Sequence, residues 1–199
     1  MEIEAFISLC GIAFAAGITP GPNNALLANS GATFGLPRTV PHALGVTLGY
    51  VFMIICISLG LGTLFEASQI LQTIMQWISV ALLIWISYKI GTSGSLSYGK
   101  NKPRPFTFLE AAAFQWINPK AWAMGISIIS QFVTTQQLWT TSLILAVVFL
   151  ATGLISTFTW AGLGQALQHW LKVGQRLRWF NRTMALTILL SVALLLIEH

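Results

Sequence analysis

Two short strings hold most of the residues that could bind a ligand: Thr19-Pro20-Gly21-Pro22-Asn23-Asn24 and Asn118-Pro119-Lys120. Each lies inside an otherwise apolar run, and each carries proline, which removes a backbone N–H and clashes with the preceding helical turn. A helix reaching Thr19 must stop there and restart near Asn23, with Gly21 free to take backbone angles closed to other residues. At the second string Asn118 is a good N-cap and Pro119 a good first helical residue, so another helix start is expected. Two helix N-termini offer partial positive charge and Lys120 offers a full one. That set suits an anion. An ordinary kink at each string, with Lys120 snorkelling to a membrane surface, is the plain alternative.

Other chemistry is poorly supplied. The chain has no Asp, and its five acidic residues are all glutamates, so the clustered carboxylates that hard cations need are missing. Cys10 and Cys56 lie in apolar runs without metal-ligand or CxxC spacing and read as small buried hydrophobes. Neither a Ser/His/Asp cluster nor a Gly-rich phosphate loop is present, so hydrolysis and phosphate chemistry find no support, and no cofactor or metal site is expected.

The elements that must position these residues are membrane helices. Of 199 residues, 55% are hydrophobic and only 8% charged, with a mean hydropathy of +0.76, far from the usual balance of a soluble domain. A span needs about 20 apolar residues, so the chain holds roughly six. The apolar runs place them at 5–18 continuing after the break through 25–34, then about 40–64, 70–90, 106–132, 139–163 and 183–197. Residues 91–105, rich in Ser, Gly, Lys and Pro, form the loop between the halves. The N-terminus lacks the positive stretch of a secretory signal and is expected to stay on the mature protein.

Charge placement fixes the orientation. With six spans, Arg38, Lys89, Lys100, Lys102, Arg104, Lys172, Arg176, Arg178 and Arg182 all fall on one face, whereas Glu2, Glu4, Glu66 and Glu198 fall on the other. The basic face belongs in the cytoplasm and both termini outside. Five or seven spans would scatter the basic residues over both faces. The net charge of +5 is therefore a matter of topology, and no nucleic-acid partner is expected. Segments one to three start outside and four to six inside, so the halves, about 5–90 and 106–197, form inverted repeats of a single transmembrane domain. Each opens with a broken helix at a similar depth, the sequence pointer to a transporter binding site.

These same residues carry a family resemblance. Thr19 through Asn23 after an apolar first segment, Gly45 through Gly49, and Asn118-Pro119-Lys120 resemble the LysE/RhtB family of bacterial amino-acid exporters, over essentially the whole chain. The doubled Asn23-Asn24, Trp85 through Lys89, and Phe114-Gln115 are most similar to its branch exporting cysteine and O-acetylserine. The resemblance implies a six-helix, proton-linked exporter of the inner membrane that forms a homodimer.

An exported amino acid would place its carboxylate on the helix N-termini and Lys120. Its ammonium would need oxygens, from the carbonyls freed at Thr19 and Pro20, from Asn23, Asn24 or Gln115, or from Glu110. Glu110 is a candidate proton carrier, or a first-turn carboxylate favourable to the helix dipole. His42 and His169 read as interface histidines. The stripes Thr152/Ser156/Thr159 and Gln72/Gln76/Ser79 could line a polar path. Gly31/Gly35, Gly45/Gly49 and Gly162/Gly164 read as helix-packing positions, and Trp139, Trp170 and Trp179 as interface anchors. Two rival functions are an exporter of inorganic cations on a related fold and a transmembrane thiol electron carrier. The second would need cysteines in both halves, whereas Cys10 and Cys56 share the first.

Overall fold

A computed structural model describes residues 1–92, 104–171 and 175–197, and its regular elements there are all helices. The core of the expected loop, 93–103, lies outside the described residues, as do Lys172, Glu198 and His199. In chain order the helices are α1 (Ile3–Ile18), α2 (Pro22–Phe34), α3 (Leu36–Cys56), α4 (Gly62–Ala67), α5 (Gln69–Thr92), α6 (Phe108–Ile117), α7 (Pro119–Phe132), α8 (Leu138–Leu171) and α9 (Arg176–Ile197). Both proline strings break helices as expected. The axis turns 56° between α1 and α2. Leu36–Ala67, Gln69–Thr92 and Leu138–Leu171 are each long and apolar enough to cross a membrane, and the bent α1–α2 pair makes a fourth candidate.

Local chemistry explains the boundaries. Pro22 and Pro119 each sit in the first turn of a new helix, where a missing N–H costs nothing. Thr107 and Glu110 form a capping box that starts α6. Gly35 turns α2 into α3 with φ +82, and Gly60 interrupts the second span in a wide turn, Ile57–Leu61, with φ +113. Both angles favour glycine. Gly21 is different: its φ of −165 is extended backbone that any residue adopts, so freedom of angle is not why glycine stands there.

The long α8 is the centre of the molecule, packed chiefly on α2 and α3, while α5 and α9 pair beside them. Close approach depends on absent side chains. A Cβ on Gly31 would collide with the carbonyl of Ala161, one on Gly164 with that of Ala28, and those on Gly45 and Gly49 with α6 at Phe108 and Ala112. These four are packing glycines as expected. Gly35 serves the turn, and Gly162 faces open space, so neither belongs to that set. The turn is tied to α8 by a hydrogen bond from the Leu36 N–H to Gln165 Oε1.

Several expectations need correcting. His42 is buried, its ring 5.2 Å from that of Phe106, because α3 packs this turn against α6. Cys10 and Cys56 are free thiols and only partly buried. Gln72 donates to the carbonyls of Phe65 and Glu66 at the end of α4, and Ser79 to the carbonyl of Ile117, so that stripe secures helix ends. Trp139, Trp170 and Trp179 are all exposed, as anchors should be.

The packing makes a direct prediction. Gly31→Ala and Gly164→Ala should each destabilise the detergent-solubilised protein by about 1–3 kcal/mol, the usual cost of overpacking. Gly162→Ala should be neutral in the same thermal melts. An unchanged melt for Gly31→Ala contradicts the packing.

Candidate functional site

The two breaks meet. They bound a cavity of about 110 Å³ whose walls include Thr19, Gly21, Pro22, Asn23, Asn24, Gln115, Asn118 and Lys120. Of the residues expected there, Pro20 and Pro119 do not line it and act only by breaking their helices. Glu110 also lies outside it. Its carboxylate takes two 2.6 Å bonds from the exposed Arg104 and closes the capping box. Residues that sequence reasoning missed complete the wall: Thr47 and Tyr50 from α3, Met124 from α7, and Phe149, Gly153 and Thr157 from α8. Thr152 and Ser156 line it as their stripe predicts, whereas Thr159 is exposed on another side of α8.

Most of the amides are already engaged. Asn24 Nδ2 donates to the carbonyls of Gly17 at 2.8 Å and Thr19 at 2.9 Å, closing the groups that the first break frees. Ser156 Oγ donates to Gly17 as well, at 2.6 Å, joining the break to α8. Asn23 Nδ2 donates to Gln115 Oε1 at 2.8 Å, and Gln115 Nε2 reaches back to Asn23 Oδ1 at 3.4 Å. This reciprocal pair ties α2 to α6. The oxygens of Asn23 and Gln115 and the carbonyl of Thr19 each already accept one bond from the protein, which leaves each a single lone pair.

What remains uncommitted is mostly positive. Gly21 gives α2 no side-chain cap, which leaves the first N–H groups of that helix for another partner. At α7 the Asn118 side chain takes the Lys120 N–H at 3.2 Å, and the later turns start from there. The Lys120 ammonium has no hydrogen-bond or ion-pair partner among the described residues. It lies 3.3 Å from where a Cβ on Gly21 would stand. Glycine therefore leaves room for the ammonium beside the first break, where a Cβ would push this flexible side-chain end away by a few tenths of an ångström. No carboxylate lines the cavity among the described residues.

Hydroxyls elsewhere in the wall accept. Thr152 donates its proton to the Val148 carbonyl at 2.8 Å and Ser156 to Gly17, so both hydroxyl oxygens keep lone pairs for a donor. Thr47 and Thr157 share a bond of 3.2 Å beside them. The ammonium and these hydroxyl oxygens thus line one cavity, whose walls also include Val46, Tyr50, Met124 and Phe149.

A helical bundle with apolar spans, two broken helices and a polar cavity between them is the architecture of a membrane translocator. The chain belongs to the LysE type translocator family, whose profile matches residues 14–199. It is 31% identical to the cysteine/O-acetylserine efflux protein of Klebsiella pneumoniae subsp. pneumoniae over 81% of this chain and 83% of that one. The protein of the same description from Escherichia coli O157:H7 is 30% identical over 86% and 87%. No solved structure gives a significant match.

The clamp role of Asn24 is testable apart from transport. Asn24→Ala removes the bonds to the Gly17 and Thr19 carbonyls and should lower thermal stability by about 1–3 kcal/mol, at about 0.5–1.5 kcal/mol for each bond. Asn24→Asp should fare no better, since a carboxylate has no proton for either carbonyl. A wild-type melt for both variants would show that the break holds without it.

Proposed function

We propose that the protein exports small neutral amino acids or their derivatives, cysteine and O-acetylserine among them, across the bacterial cytoplasmic membrane. The observation that carries this reading is the unpaired Lys120 ammonium beside two helix N-termini, in a cavity that also holds hydroxyl acceptors and, among the described residues, no carboxylate. A zwitterion matches both kinds of group. Its carboxylate takes Lys120 and the free N–H groups of α2, and its ammonium takes the oxygens of Thr152 and Ser156. A second cationic group on the substrate would meet no anionic partner, which favours neutral over basic amino acids. The rival readings lack support: among the described residues no group of three or more His, Cys, Asp or Glu could hold a metal. The two thiols share one half of the chain.

In the same reading the chain spans the membrane six times, as α1–α2, α3–α4, α5, α6–α7, α8 and α9, in two inverted three-helix repeats with both termini outside. Support comes from the basic residues and their rings. Arg38 lies over Phe34, Lys89 over Trp85, Arg176 over Trp170 and Arg182 over Trp179, at 4.1 to 5.5 Å from the ring centroids. Basic and aromatic residues paired in this way are characteristic of a membrane interface, and the positive-inside rule makes it the cytoplasmic one.

Transport assays on cells overexpressing the protein test the function. Export should raise cysteine or O-acetylserine in the medium, and Lys120→Ala should reduce apparent affinity about ten- to a hundredfold, the worth of a charge-assisted contact. Lys120→Arg should fail nearly as badly, because a planar fork does not replace a compact ammonium. Normal export by both variants at equal abundance would remove Lys120 from the site. Topology is read separately with an impermeant thiol reagent in a Cys10→Ala, Cys56→Ala background. Gln137→Cys should react in intact cells and Gln175→Cys only after lysis; the reverse pattern would invert the assignment.

A further inference from the structure

Among the helices that present a surface to their surroundings, α7 is unlike the others. Large apolar side chains are exposed on α1, α3, α5, α8 and α9, as lipid requires. None is exposed on α7, whose outward residues are Lys120, Ala123, Ser127, Ser130 and Gln131. Their spacing keeps them on one face of the helix. Gln131 Nε2 donates to Ser127 Oγ at 3.3 Å, so the polar groups form a continuous strip rather than scattered exceptions.

This strip borders a groove. Ile12 of α1 forms the opposite wall, and Lys120, Ala123, Met124, Ser127, Ile128 and Gln131 form the rest. Lys120 and Met124 also line the central cavity, so the groove begins where the site ends. From Lys120 to Gln131 is eleven residues, or about 16 Å of helix, roughly half the thickness of the hydrocarbon core. A strip that starts at the mid-membrane break therefore reaches one interface. Ser130 Oγ donates to the Ser127 carbonyl at 2.8 Å, but the Ser127 proton and the Gln131 oxygen have no partner among the described residues, and leaving such groups unpaired in lipid is costly.

We infer that the α1–α7 groove is the water-lined release path of the exporter, with Lys120 at its inner end and Ser127 and Gln131 along its wall. The direction rests on the proposed topology, in which α7 runs from the central break to the outer face. A substrate carboxylate leaving Lys120 meets the Ser127 hydroxyl about 10 Å further out and Gln131 after another turn and a little more. These groups are neutral and single, so they replace lost water contacts without holding the anion. That grading from full charge to weak donor is what release requires.

Thiol accessibility tests the path. Single cysteines at Ser127 and Gln131, in a background with Cys10→Ala and Cys56→Ala, are treated in intact cells with a negatively charged, impermeant methanethiosulfonate. Leu143→Cys, on the exposed apolar side of α8, serves as the lipid-facing reference. A charged reagent is excluded from lipid by on the order of a hundredfold, so the groove positions should react faster than Leu143→Cys by about that factor. Modification at Ser127→Cys should also abolish export. Rates at both groove positions equal to the reference would overturn the inference. So would spontaneous cross-linking of Gln131→Cys between two copies with loss of labelling, since the face would then be a subunit contact. Labelling does not require transport: reactive groove cysteines in a protein that exports no amino acid would retain the path and refute the function instead.

Discussion

A peptide bond at membrane depth must find a hydrogen-bond partner inside the protein, and every feature of the central site follows from two places where a helix cannot provide one. Proline breaks α1 from α2 and α6 from α7, and the freed carbonyls of Gly17, Thr19 and Ile117 are taken by Asn24, Ser156 and Ser79. Each partner comes from a different element. The breaks are held because α2, α5 and α8 converge on them, and α8 comes close enough only through Gly31 and Gly164. Backbone satisfaction, helix packing and the position of the cavity are one problem.

Solving it leaves an asymmetric remainder. The carbonyls of Gly17, Thr19 and Ile117 are satisfied, whereas among the described residues the leading N–H groups of α2 and the ammonium of Lys120 are not. Helix N-termini carry partial positive charge, so the remainder is a cationic pole that an anion completes. The hydroxyls of Thr152 and Ser156 spend their protons on α8 and on Gly17, and present oxygen to the same cavity. The polarity of the site is thus set by how the breaks are closed. A site for export must also let go, and one lysine without a fixed carboxylate partner is strong enough to select and weak enough to release.

Much of this was legible in the sequence because proline announces itself. Both breaks, the N-cap at Asn118 and the packing role of Gly31, Gly45, Gly49 and Gly164 follow from residue type and spacing. The assignment of individual side chains was less legible, for a definite reason. Whether Asn24 faces a ligand or the Thr19 carbonyl depends on the 56° bend, which no local pattern encodes. Thr47, Tyr50 and Phe149 enter the wall through the rotation of α3 and α8 about their axes, set by contacts distant in sequence. Periodicity identified Thr152 and Ser156 but extended the stripe to Thr159, which the long α8 turns outward. The strip on α7 was hidden because Ser127, Ser130 and Gln131 look ordinary until the exposure of the other helices gives them contrast.

The central claim is that the two breaks grip a carboxylate. Competition in inside-out membrane vesicles tests it directly, with labelled cysteine as substrate under reducing conditions and either unlabelled cysteine or cysteine methyl ester as competitor. The ester keeps the side chain and the amino group and replaces the negative charge with a neutral methyl ester. If Lys120 and the α2 N-terminus hold that charge, unlabelled cysteine competes and the ester does not. An ester that competes as well as cysteine itself would contradict the account.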